Sequence, residues 1–144
     1  MSVKDLHNNV RTKTVISPLA IGANATKSGI VVDRQSYGGV EFIMSYGAVT
    51  TTGSIVTVVA LEGDVTGTMT SVADTYLLGT EALASLAAGA RVAGTGKEVT
   101  KRLGYVGNKR YVTVNAVQTG VTSVGVVGVA AVLHSPYNAP QTNP

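Results

Sequence analysis

The side chains able to act on a substrate are few, and their spacing matches no familiar reacting set. The stretch GARVAGTGKE, residues 89–98, carries a glycine-lysine pair at Gly96-Lys97 of the kind that cradles phosphate. Such a loop needs glycine five positions before Gly96, where Arg91 stands, and a magnesium-binding Ser or Thr where Glu98 stands. The stretch therefore reads as a surface loop. Glu62, Asp64 and Asp74 lack the alternating oxygen spacing of a calcium loop, and read as turn residues and solvated charges. The two histidines, His7 and His134, have no neighbouring His or Cys to complete a metal shell. There is no cysteine, hence no thiolate or disulfide, and nothing pairs a serine or threonine with a general base. These absences point to a protein that is not an enzyme, with no metal, no cofactor and no small-molecule substrate.

Binding chemistry is better represented. Arg102, Lys109 and Tyr111, with Arg110 beside them, combine cations and an aromatic ring in a way that suits an acidic or sugar-bearing surface. Lys4 and Arg11 near the N-terminus and Tyr137 near the C-terminus extend this set of candidate partner contacts. Eleven Lys and Arg against eight Asp and Glu give a net charge of +3, too sparse a basic stripe for a dedicated nucleic-acid binder. No apolar run reaches the roughly 18 residues of a membrane-spanning helix, and the polar start, MSVKDLHNNVRTK, lacks the apolar centre of a signal peptide. Synthesis in the cytoplasm is the expectation.

The elements that position these residues read as strands. KRLGYVGNKRYVTVNAV, residues 101–117, alternates on both sides of Gly107-Asn108, which predicts a β-hairpin with a two-residue turn. In that register Val106 faces Lys109, Tyr105 faces Arg110, Gly104 faces Tyr111 and Leu103 faces Val112. Leu103, Tyr105, Val112, Val114 and Ala116 then share an apolar face, and Arg102, Lys109, Thr113 and Asn115 share the polar one. Val40, Phe42, Met44 and Tyr46 alternate in a second clear strand, and Ile55, Val56, Val58 and Val59 mark a third that ends at Glu62-Gly63-Asp64. Thr14 to Ile21 forms an edge or crossing strand interrupted by Pro18. Residues 24–29 read as a loop, and Ile30 to Asp33 and Thr68 to Ala73 as short strands. Thr80 introduces EALASLAAG, a short helix with Leu83, Leu86 and Ala87 on one side and Gly89 at its stop.

The last strand, Val121 to Leu133, is apolar on both faces. Val127, Val129, Ala131 and Leu133 point one way, and Val124, Val126, Ala130 and Val132 the other. A sandwich strand ordinarily hides one face only. The first set is therefore assigned as an oligomer or packing face, and the outer one needs a cover. Only 13% of residues are charged, against about 25% in an ordinary soluble domain, which also favours a partly covered surface. The chain organises as an N-terminal arm (1–12), a β-sandwich domain (13–134) and an extended tail (135–144) with three prolines. The fold class is all-β: an antiparallel, jelly-roll-like β-sandwich with one short helix and extended termini.

The run IVVDRQSYGGVEFIMSYG, the VTTTGS turn, KRLGYVGNKRYVTVNAV and the valine-glycine strand with its proline-containing tail resemble a family of small tailed-bacteriophage virion proteins. The resemblance spans about residues 30–140 and implies a capsid decoration, or cement, protein. Its expected partners are the major capsid protein and further copies of itself, as a dimer or trimer, on the capsid surface of the virion. It lacks the short N-terminal motif of lambda-type decoration proteins. A head-to-tail connector or tail component, and a carbohydrate-binding sandwich of a fibre or spike, are the competing readings.

Overall fold

The computed structural model describes residues 5–21, 24–48, 53–86, 98–120 and 125–138. The predicted antiparallel β-sandwich is what forms. One sheet runs in the order β1 (Val10–Ile21), β10 (Gly125–Pro136), β4 (Tyr37–Tyr46), β8 (Val99–Tyr105), β7 (Leu77–Leu78). The other runs β2 (Thr26–Lys27), β9 (Tyr111–Thr119), β5 (Ile55–Val65), β6 (Thr68–Ser71), with β3 (Val32–Asp33) also paired to β9. Val40, Phe42, Met44 and Tyr46 from the first sheet, and Val56, Val58, Ala60, Val112, Val114 and Ala116 from the second, meet in one buried core. The alternation read from the sequence is thus the two inner faces of a sandwich.

The hairpin at Gly107-Asn108 does not exist. β8 pairs with β4 in the first sheet and β9 with β5 in the second, so residues 106–110 carry the chain from sheet to sheet. Leu103 and Tyr105 still turn inward with Val112, Val114 and Ala116, but they face one another across the core instead of lying side by side. Alternation is identical in a hairpin and in such an arch, so periodicity alone does not separate them. Thr113 is buried, and Gly104 lies against Leu78 and Glu41, not under Tyr111.

Both open sides of the sandwich are closed by irregular chain. On one side the helix α1 (Glu81–Ala84) is a single turn whose third N–H, that of Leu83, is capped by Thr80 Oγ1 at 3.1 Å. It ends at Ser85 because the chain turns to satisfy the edge of β5. Leu86 O accepts from Val56 N at 3.0 Å, Ser85 Oγ from Val58 N at 2.8 Å, and Glu81 Oε1 from Ala60 N at 2.5 Å. Lys101 Nζ and Tyr46 Oη, both from the first sheet, donate to Ser85 O and Ala84 O. Of the helix face expected from spacing, Leu86 is buried but Leu83 is 69% exposed, while Ala87 and Gly89 lie outside the described residues.

On the opposite side, residues 28–31 leave β9 and reach β1, where Ile30 N donates to Val15 O at 2.8 Å. Gly29 passes so close to β9 that a Cβ there would stand 2.2 Å from Val114 O and 2.6 Å from Val15 Cγ1. Gly29→Ala is expected to destabilise the fold by about 3 kcal/mol, the upper range for overpacking against a backbone that cannot retreat. A urea melt with an unchanged midpoint would show that this strap is dispensable.

β1 is the edge strand anticipated from Pro18, with irregular register between Thr14 and Ile16 and between Ile16 and Leu19. Of the stretch read as an arm, residues 5–9 include a 3-10 turn, His7–Asn9, and Val10 to Thr12 already pair with His134 to Val132. At the other end, Ser135 and Pro136 complete β10.

Candidate interface at one end of the sandwich

The registers place three sheet-to-sheet crossings at the same end of the molecule. β3 crosses to β4 through residues 34–36, β6 to β7 through 72–76, and β8 to β9 through 106–110. The start of β1 and the end of β10 lie there too, since Arg11 opposes Leu133 and Pro136 opposes Tyr37.

The third crossing is held by a residue that the sequence did not mark. Arg34 donates from Nε to Lys109 O at 2.6 Å, from Nη1 to Tyr37 O at 3.1 Å and Gly38 O at 3.4 Å, and from Nη2 to Gly107 O. Its guanidinium carbon also lies 5.4 Å from the centre of the Tyr105 ring. One planar fork thus ties the third crossing to the start of β4, a geometry an ammonium does not offer. Arg34 N donates to Arg110 O at 3.0 Å, tying the two segments by backbone as well.

Beneath it, Tyr105 Oη donates to Glu62 Oε2 and accepts from Lys109 N at 3.1 Å. Glu62, read from sequence as a solvated turn residue, is instead buried within β5, which runs on to Val65. Nothing near it in sequence announces the partner, since Tyr105 is distant along the chain. Burial, reinforced by the hydrogen bond to Glu62, pushes the Tyr105 hydroxyl up to about 12.

Around this core sit the candidate contact residues. Lys109 bonds Asp64 at 2.5 Å and Arg110 bonds Asp33 through Nη2 at 2.6 Å and Nε at 3.1 Å. The Lys109 hydrogen bond holds the Asp64 carboxyl below its usual range, and the Arg110 bond does the same for Asp33. The Arg110 guanidinium also stacks 5.0 Å from the Tyr111 ring centre. Tyr137 N donates to Ser36 O at 2.9 Å, which holds this 75% exposed ring beside the first crossing. Val106 and Tyr76, each 42% exposed, add apolar surface at the same end. Lys109, Arg110, Tyr111, Arg11 and Tyr137 are therefore brought together. Arg102 is not: its side chain projects from the outer face of β8, 84% exposed and 3.8 Å from Glu41. Lys4 lies outside the described residues, as do residues 89–97 of the glycine-rich loop.

Of the two roles given to the inner face of β10, an oligomer face or a packing face, the structure shows packing within the chain. Val127, Val129, Ala131 and Leu133 are all at most 3% exposed and fill this chain's own core, so they offer nothing to another copy. The side of β10 that looks outward carries Val126 and Ala130, both exposed, and the half-buried Val132. Among the described residues there is no cluster of three His, Cys, Asp or Glu able to hold a metal, and no helix long and apolar enough to cross a membrane.

No family model and no curated protein matches the sequence. Solved structures do share the fold. The PBSX exported protein XepA is similar with a TM-score of 0.55 at 16% identity, over 91% of this chain and 39% of that one. A chain in the structure of the infectious bursal disease virus Gx strain gives 0.50 at 10% identity, over 91% of this chain and 33% of that one. A chain in the acid-stable capsid of the Helicobacter pylori bacteriophage KHP30 gives 0.50 at 15% identity, over 89% of this chain and 90% of that one. The chain thus spans well under half of the first two proteins and nearly all of the third. At such identities the likeness establishes the sandwich.

Proposed function

We propose that this chain is a structural protein of a bacteriophage particle, and within that class a decoration protein that binds the outside of the assembled shell without catalysis. The observation that carries the reading is the match to a chain of the phage KHP30 capsid, in which each protein accounts for about nine tenths of the other. The crowding of cations, tyrosines and exposed valine at one end supplies a surface of the composition that protein interfaces favour. Its partners are the major capsid protein and further copies of this chain.

The mechanism is mass action. A protein that binds only the assembled lattice stabilises that state at every occupied site, by about 2.7 kcal/mol per site when its concentration is a hundredfold above Kd. Linked copies add avidity. The test is sedimentation of the purified protein with mature and with unexpanded shells, followed by imaging to count copies. Occupancy in proportion to capsomers is expected, with preference for mature shells. Six or twelve copies at a single vertex would make it a connector or tail component, and absence from both kinds of shell would remove the reading.

A further inference from the structure

The first sheet has an outer side, turned away from the core. The registers place Val132 beside Glu41 in one row across it and Ala130, Ile43 and Arg102 in the next, and Gly128 and Ser45 in the row after keep its middle low. Val126 and Ala130 are exposed, and Ile43 and Val132 are half-buried. Leu78 and Leu83, 56% and 69% exposed, border a hollow beside Glu41 and Arg102 on the same side. Single exposed aliphatics are ordinary, but a contiguous set of them marks a surface that is covered in use. The face extends about 27 Å along β10 and about 19 Å across the five strands at their usual spacing, which is about 500 Å² on each copy. Two such faces together reach the roughly 1,000 Å² that a specific interface needs.

The charges select the occupant. Within strands β4, β8 and β10 the charged side chains on this side are Glu41 and Arg102, one of each sign, with Glu98 at the margin. Arg102 is 84% exposed and stands 3.8 Å from Glu41, too far for a hydrogen bond, so the chain itself holds the pair loosely. An acidic partner surface is repelled by Glu41 and a basic one by Arg102. A second copy turned by a two-fold axis sets its Arg102 on this Glu41 and, by the same symmetry, its Glu41 on this Arg102. We infer that two copies of this chain pack face to face through the outer side of the first sheet, with this reciprocal pair fixing their register. The inference rests on the function proposed above for self-association as such and adds the face through which it occurs; binding to a shell is a separate property.

The experiment is sedimentation velocity of the whole chain without shells, across the micromolar range. A species of twice the chain mass that grows with concentration is expected. Arg102→Glu puts two carboxylates on the face and Glu41→Arg puts two cations there, so each variant alone should self-associate at least about a hundredfold more weakly, both contacts having become repulsive. Mixed in equal amounts, the two variants should form a one-to-one dimer, which a role of the pair within one chain does not produce. Ala130→Arg, at the exposed centre of the face, should leave the urea midpoint near that of the parent and prevent dimerisation. Thr57→Arg, exposed on the outer side of β5 in the other sheet, should change self-association by no more than about twofold. A parent chain that stays monomeric, a mixture of the two variants that stays monomeric, or an equal loss in Thr57→Arg would each overturn the inference. So would a monomeric parent whose shell binding is abolished by Ala130→Arg, a result that gives the face to the capsid. Dimers that fail to sediment with shells remove the decoration role alone, and shell binding by monomers removes this interface alone, so the two readings fail separately.

Discussion

Arg34→Ala is expected to lower stability by about 3 kcal/mol, the size of two lost hydrogen bonds from a charged donor. Four carbonyls lose their donor together: those of Tyr37 and Gly38 at the start of β4 and of Gly107 and Lys109 in the third crossing. Arg34→Lys should recover only a minor part, because an ammonium reaches one or two of these oxygens and does not stack on Tyr105 as a plane does. Denaturant midpoints at constant m-value measure the loss. If Arg34→Ala costs under about 0.5 kcal/mol, the range of ordinary surface substitutions, the guanidinium is not what holds the crossings together. On the function proposed above, the same variant should also weaken shell binding beyond its effect on folding, because it releases the segment that presents Lys109, Arg110 and Tyr111.

The second large effect is one of pH. The Tyr105 hydroxyl has a folded-state pKa of about 12 against an ordinary value of 10.0. Because the folded value is the higher one, the folded chain binds the proton more tightly than the unfolded chain does. The resulting stability is fully present below pH 10 and is lost as pH rises from there through about 12, up to about 3 kcal/mol for a shift of this size. Tyr105→Phe should flatten that alkaline limb. At pH 8 it should also cost about 1–3 kcal/mol, since the buried Glu62 carboxylate then loses a donor. Melts of both proteins from pH 8 to 12 should converge. Parallel curves would mean that the hydroxyl is not shielded as described.

What could be seen in the sequence follows from which forces are local. The inward faces of β4, β8, β9 and β10 were legible, because burial imprints a period of two on any strand of a sandwich, whereas β5 was seen as a strand without its inner set of Val56, Val58 and Ala60. The destination of a strand was not. Gly107-Asn108 suits a tight hairpin, and what overrides it is the distant pairing of β8 with β4 and of β9 with β5. Arg34 was overlooked for a related reason: its partners are main-chain oxygens, which leave no trace in residue type. Glu62 was misjudged because an acid beside glycine looks like a turn until a buried tyrosine is known to reach it. Of the described candidate contacts, most gather at one end because the crossings do, and Arg102 stands apart. The valine-rich strand was read correctly for its double apolar character, but its inner set belongs to the chain's own core.

The position of β10 bears on how the molecule comes into being. It lies between β1 and β4, two strands from the first third of the chain. The first sheet is therefore incomplete until the last described strand has left the ribosome, and a chain cut short would offer two raw strand edges where β10 belongs. Such pairing across nearly the whole sequence is slow to find. Folding should thus follow synthesis as a single late event, which chains ending before β10 cannot complete.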